Sequence, residues 1–254
     1  MDHVVSCFRR KPEAAARLVC FPWAGGGSLH YGRWGSLFPG SVEVYSVRLP
    51  GREARGREPL LLSMEEVVEE VVEALLPALK EKPFAFFGHS FGALTSFAVA
   101  DALRRRHGLQ PLHLFLSGAS APHSQTRLSA PKRSALTDDE FLQWLSSIGG
   151  TPPELLANPE VLKLFLPALR ADLHVVDTYR CDKPTAPLLS CPITCFDGRQ
   201  DVPHDLQAWR DVSSGDFTVR MLEGDHFYLK DSGNEKVLID LVTKHLETAD
   251  MDYL

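Results

Sequence analysis

One stretch, residues 84–108, constrains this chain more than any other: FAFFGHSFGALTSFAVADALRRRHG. It sets Ser90 between two glycines, straight after a short apolar run and straight before a helical pattern. GHSFG fits G-x-S-x-G, which presents a serine on a sharp strand-to-helix turn at the top of a parallel sheet. The flanking glycines let the helix pack close while the serine holds an uncommon backbone conformation. Five letters alone arise by chance in many chains. The strand before them and the helix after them supply the specificity, against the competing reading of a plain Gly-Ser turn.

The rest of the chain supplies a sheet for that turn. Residues 17–21, 42–47, 83–87, 112–118, 191–198 and 217–222 predict strands. Residues 63–82 predict a helix, opened by a capping box at Ser63 and Glu66. Val67, Val68, Val71, Val72, Leu75, Leu76 and Leu79 share one face of it, and Pro77 predicts a late kink. Residues 91–107 predict a second helix that Gly108 can end, and 234–246 a last one. Strands and helices in alternation mean a largely parallel sheet covered on both faces. We expect one α/β domain spanning residues 1–254.

Residues 123–187 break the rhythm. They hold no convincing strand, frequent prolines, and helical pieces such as the one capped by Thr137 and Glu140. An insertion of this length between sheet strands is usually functional. The expectation is a helical lid, against the alternative of a cap that only completes the core.

Composition narrows the function classes. Hydrophobic residues make up 44%, charged residues 24%, and the net charge is −6, the balance of an ordinary globular protein. No basic block suggests a nucleic-acid footprint, and no apolar run is long enough for a membrane span. The apolar part of the N-terminus is too short for a signal peptide and contains Pro22. Five cysteines, an odd number, read as reduced thiols in the cytosol. Cys191 and Cys195 have no matching pair elsewhere, so a zinc site is not expected, and nothing else in the sequence implies a metal or a cofactor.

A serine hydroxyl needs a base, and the base an orienting carboxylate. In this architecture their chain order is Ser, then acid, then His. Of the ten histidines, His226 in LEGDHFYL alone follows the last predicted strand by a loop; His204 lies too close to the acids, and His245 is inside the final helix. The segment ITCFDGRQDVPHD offers Asp197, Asp201 and Asp205. Asp197 sits at the strand tip and Asp201 on the turn beyond Gly198; Asp201 is the preferred acid. Asp225 adjoins His226 and should point elsewhere. Oxyanion donors are expected from the backbone N–H of Phe91 and, in the glycine-rich CFPWAGGGS, of Ala24. That loop matches neither phosphate-binding glycine pattern.

FPWAGGG, RLPGRE (48–53), KPFAFFGHSFG, PLHLFLSGA, GGTP (149–152), LRADL (169–173) and GDHFYL together resemble the type II thioesterase family of α/β-hydrolases, over nearly the whole chain. The resemblance implies Ser90, Asp201 and His226 as the triad, supporting the choice of Asp201, with Ala24 and Phe91 as oxyanion donors. It also implies a lid, a medium-chain acyl thioester as substrate, and the acyl carrier protein of a fatty acid synthase as partner. The expected setting is a cytosolic monomer without stable membrane insertion. Many relatives have methionine where this chain has Phe91. RLPGRE has no catalytic geometry that the residues themselves give. Phe141, Leu142, Leu145, Leu162, Leu164 and Phe165 are candidates to line an acyl channel. Arg104, Arg105 and Arg106 are a candidate carrier-protein patch, or simply a solvated helix end. A carboxylesterase or lipase, transfer to an acceptor other than water, and a non-catalytic acyl-carrier-binding module stay open.

Overall fold

A computed structural model describes residues 3–251. Seven strands form one sheet: β1 (Val5–Ser6), β2 (Ala16–Phe21), β3 (Val42–Val47), β4 (Phe84–His89), β5 (Leu114–Ser117), β6 (Ile193–Gly198) and β7 (Phe217–Leu222). Their order is β1-β3-β2-β4-β5-β6-β7. Among the described residues, only β1 is antiparallel to its neighbour; the other pairings are parallel.

Strands β2, β3 and β4 are buried throughout, because each face of the sheet carries its own core. Side chains alternate across a strand, so Val19, Phe21 and Phe86 join one core while Leu18, Cys20 and Phe87 join the other. The first is completed by α2 (Met64–Glu81) and α3 (Phe91–His107), through Val71, Leu75, Phe97 and Leu103. The second is completed by α1 (Leu29–Leu37) and α8 (Ser232–Met251), through Tyr31, Trp34, Leu238 and Val242. Each fully buried Leu or Phe in these layers stabilises the fold by about 1.5–3 kcal/mol.

Residues 123–187 contain four helices and no strand: α4 (Gln125–Leu128), α5 (Asp138–Ile148), α6 (Pro153–Leu156) and α7 (Pro159–Thr178). Helix α7 is half inside the domain. Leu164 is 81% exposed, whereas Ala168, Leu169, Ala171, Asp172, Leu173 and Val175 are buried. Phe141, Leu145, Leu169 and Leu173 form a small third core between α5 and α7.

Local signals mostly act as the sequence predicts. Gly108 ends α3 in the left-handed conformation at φ 65°, its N–H donating to the Arg104 carbonyl. Thr137 and Glu140 make the full capping box. At Ser63 the box is half-made: its hydroxyl accepts from the Glu66 N–H, but the Glu66 carboxylate takes the Ser63 hydroxyl rather than its backbone N–H. Helix α2 runs through Pro77 to Glu81. Strand β1 and helix α1 have no counterpart in the sequence-based expectation, and α8 extends further at both ends than residues 234–246.

Candidate active site

The glycine-rich loop, Ser90, Asp201 and His226 follow β2, β4, β6 and β7 respectively. These strands are mutually parallel, so all four features meet at one sheet end. Open α/β sheets bind their ligands there.

Ser90 has φ 59° and ψ −120°, a conformation that a non-glycine residue rarely adopts. Two things hold it. Its N–H donates to the Ser117 carbonyl at 2.7 Å, anchoring the turn to β5. The glycines on either side then admit the crossing backbone. A Cβ on Gly88 would meet Ala93 N at 2.7 Å, and one on Gly92 would meet Pro22 O at 2.8 Å, with other backbone atoms nearer still. The turn is strained, and its surroundings over-determine it.

His226 and Asp201 are brought together by stitched loops. The Arg199 N–H donates to Leu222 O at 2.8 Å and the Gln200 N–H to Gly224 O at 2.9 Å. Across that seam His226 Nδ1 lies 2.7 Å from Asp201 Oδ2. The other acids are occupied elsewhere. Asp197 bonds His204 Nδ1 at 2.7 Å and accepts the Gly198 N–H. Asp205 accepts from Ser124 Oγ and the Ala208 N–H. Asp225 accepts the Phe227 N–H, turned away from its neighbour as expected. Ligand atoms of Asp201, His204 and His226 lie within 4.8 Å of one another, but both Nδ1 atoms are already engaged with carboxylates, an arrangement of Asp–His pairs.

Three further features shape this site, two of them outside the sequence-based candidates and the third a motif to which the sequence assigned no catalytic geometry. His204 shares its lining. Burial opposes charge on His204, but the bond to Asp197 and the charges of Asp197 and Asp201 outweigh it and raise the pKa. Behind His226, the buried His89 ring lies 4.8 Å away, centroid to centroid. His89 Nδ1 is 2.8 Å from Ser117 Oγ, which is 2.5 Å from the Tyr228 hydroxyl. Burial, then the neighbouring histidines His226 and His204, push the His89 pKa well down and keep the ring neutral. The third feature is RLPGRE: Arg52 forms a buried two-pronged ion pair with Asp172 of α7.

Neither the Ala24 nor the Phe91 N–H has a hydrogen-bond partner among the described residues. The latter is one of the donors that a helix's first turn leaves without an internal acceptor. Two cavities meet at Ser90 and His226. One, of about 320 Å³, is lined mainly by apolar side chains, among them Ala24, Leu145, Phe165, Leu169, Leu173 and Phe227, with Thr151 and Lys230 also on its wall. The other, of about 240 Å³, is bordered by Arg127, Lys132, Arg133 and Arg180.

A thioesterase-domain family model matches residues 16–245. The chain belongs to the thioesterase family. It is 44% identical to the rat (Rattus norvegicus) medium-chain S-acyl fatty acid synthase thioesterase, covering 98% of this chain and 95% of that one. It is 42% identical to the human protein of the same name, covering 98% and 94%. Among solved structures, the RedJ thioesterase of the Streptomyces coelicolor prodiginine pathway superposes with a TM-score of 0.84 at 34% identity, covering 93% and 92%. The mostly parallel sheet with helices on both faces is thus the α/β-hydrolase type of this thioesterase family.

Within this thioesterase, the proposed channel residues divide. Leu145 and Phe165 line the apolar cavity. Phe141 is fully buried with Leu142 packed beside it, Leu164 faces solvent, and Leu162 is not in the lining. Arg104–Arg106 end a helix of about 25 Å whose other end is Ser90. Arg105 pairs with Asp101, and Arg106 with Glu69. The cations beside the site are a different set.

Proposed function

We propose that this chain is a serine thioesterase that releases medium-chain fatty acid from the acyl carrier protein of a fatty acid synthase. The observation that carries the reading is the junction: a cavity walled mainly by apolar side chains and one bordered by four cations share Ser90 and His226. An acyl chain fits the first. The phosphodiester of a phosphopantetheine arm, and an acidic carrier behind it, suit the second. The names of the rat and human relatives support the same substrate.

In this mechanism His226 takes the Ser90 proton as the hydroxyl oxygen attacks the thioester carbonyl. Asp201, on Nδ1, stabilises the imidazolium. The Ala24 and Phe91 N–H groups receive the developing oxyanion. The thiolate leaves with the proton from His226, and the acyl group stays on Ser90. Water then gives His226 a proton and attacks the ester carbonyl, and His226 passes that proton to Ser90 Oγ as the acyl–oxygen bond breaks and the fatty acid leaves. The residues 123–187 act as the lid, with α5 to α7 forming the acyl wall.

The test is Ser90→Ala with decanoyl-carrier protein, beside an oxygen ester of equal chain length. Hydrolysis should fall by about 10⁴-fold or more, and a fluorophosphonate should label wild type only. Near-normal hydrolysis by Ser90→Ala refutes the mechanism. Preference for the oxygen ester would make the protein a carboxylesterase, and an unlabelled wild type a binding module.

A further inference from the structure

The motif RLPGRE turns back on the glycine-rich loop from two directions. Arg52 is buried and holds Asp172 with both guanidinium nitrogens, Nη2 to Oδ1 at 2.9 Å. Asp172 Oδ2 also accepts the Gly25 N–H at 2.7 Å. Gly25 has φ 74° and sits against Leu169. One residue after Arg52, Glu53 holds a positive φ of 51°. Its carboxylate accepts the Ser28 N–H at 2.8 Å and the Ser28 hydroxyl at 2.7 Å. The loop is therefore pinned at Gly25 and at Ser28, on either side of its two remaining glycines. The peptide next to the first pin is that of Ala24.

The geometry points to Arg52, Glu53 and Asp172 as positioning residues that aim the Ala24 N–H at the reacting carbonyl. The inference rests on the thioesterase reading of Ser90 and His226. It adds a link between substrate and catalysis. Asp172 lies on α7 between Leu169 and Leu173, and both of these line the apolar cavity. An acyl chain resting on those leucines presses on the helix that carries the Gly25 anchor. Seating of the chain and aim of the oxyanion donor are thereby set by one helix.

A charge left buried without its partner destabilises a protein, so the test removes both charges together. The Arg52→Met/Asp172→Leu protein keeps apolar packing but gives Gly25 no acceptor. The Arg52→Gln/Asp172→Asn protein restores an acceptor. Glu53 is exposed, so Glu53→Ala removes the second pin with little risk to folding. Each is assayed for kcat and KM on decanoyl-carrier protein, per active site titrated by fluorophosphonate, beside its thermal midpoint. Losing an oxyanion donor outright costs about 10²–10³ in kcat, so misdirecting one should cost about 10- to 100-fold. The Met/Leu protein and Glu53→Ala should lose kcat in that manner with KM little changed. The Gln/Asn protein should recover most of the loss. A purely structural role would lower the thermal midpoint and the titrated fraction but leave kcat per site intact, and that result in either loop-freeing protein overturns the inference. If the Met/Leu protein does not fold, Glu53→Ala decides alone. A wild type that neither labels at Ser90 nor hydrolyses the thioester removes the underlying reading and the inference with it; a competent wild type matched in kcat by the variants removes the inference only.

Discussion

Gly92→Ala puts one methyl group where the strand β2 and the nucleophile turn cross. In an ordinary helix this change is favourable by up to about 1 kcal/mol, because alanine loses less backbone entropy. Here the new Cβ would lie 2.8 Å from Pro22 O and 2.9 Å from the Phe21 carbonyl carbon, with Phe21 O closer still, whereas ordinary contact begins at 3.4 Å. These are backbone atoms, so no rotamer change relieves the clash. Strand and helix must part by on the order of 1 Å, and overpacking of this kind costs about 1–3 kcal/mol. With the upper figure, net stability drops by about 2 kcal/mol, a thermal midpoint lower by about 4–8 °C. The displacement also has a direction. Phe21 leads into the loop that carries Ala24, and Gly92 lies two residues after Ser90. One methyl therefore separates nucleophile from oxyanion donor, and a 1 Å error of that kind costs about 10²-fold in rate. The assay is kcat on decanoyl-carrier protein per titrated site, with a thermal melt. A variant that melts higher than wild type and keeps kcat within about threefold would show that the glycine is not there for close approach.

Other expectations follow from the same geometry. Asp201→Asn should lower kcat by about 10⁴-fold, because an amide that can donate to Nδ1 favours the wrong His226 tautomer; Asp197→Asn, whose carboxylate bonds His204 and the Gly198 N–H, should cost far less, and equal losses would reassign the acid. Burial, partly offset by Glu235, lowers the His30 pKa from 6.5 to about 4, and burial, aided by His245, takes His113 to about 3. The unfolded chain therefore binds more protons below pH 6.5, and stability falls as pH drops from 6.5 towards 4, by about 3 kcal/mol for His30 alone. Urea midpoints at pH 7 and 4.5 check this, and His113→Gln, which can keep the bond to Thr194, should show a shallower drop than wild type. Lys132→Glu/Arg180→Glu should raise KM for decanoyl-carrier protein by about tenfold in low salt and less in high salt. A neutral short-arm decanoyl thioester should show no such change; equal effects on both substrates would move the carrier contact elsewhere.

Much of the fold was legible because its elements obey simple periods. Apolar runs gave β2 to β7 to within a few residues, and the 3.6 period gave α2. What escaped had no period to read. Strand β1 is two residues long and is held by pairing with β3. Helix α1 carries Gly32 and Gly35, poor helix formers, and is kept by burial of Tyr31 and Trp34. Strand β4 runs on through His89, a buried polar residue whose Nδ1 is met by Ser117 Oγ. The site divides the same way. Ser90, Asp201 and His226 are residues whose chemistry and strand-end position name them. The cavities could not be read, because which leucine faces the serine depends on how α5 and α7 cross.

The Arg52–Asp172 pair shows where more could have been drawn from the letters. Its members lie 120 residues apart, so no local spacing joins them. Yet LRADLHVV carries its own signal. Ala168 and Leu169 precede Asp172 by one helical turn, Val175 and Val176 follow by one turn, and residues three or four apart share a face. The carboxylate therefore falls on the apolar stripe of its own helix. An acid on a buried stripe must meet a cation or donors, because the unpaired charge is too costly to bury. Burial does push the Asp172 carboxyl above its ordinary pKa, against the lowering effect of Arg52 and of the Gly25 N–H. Arg52 and the Gly25 N–H are thus the contacts that offset the cost of burying this carboxyl. A leucine in that position could accept from neither the Gly25 N–H nor Arg52. That is the physical reason to assign Asp172 to aiming the loop rather than to packing α7.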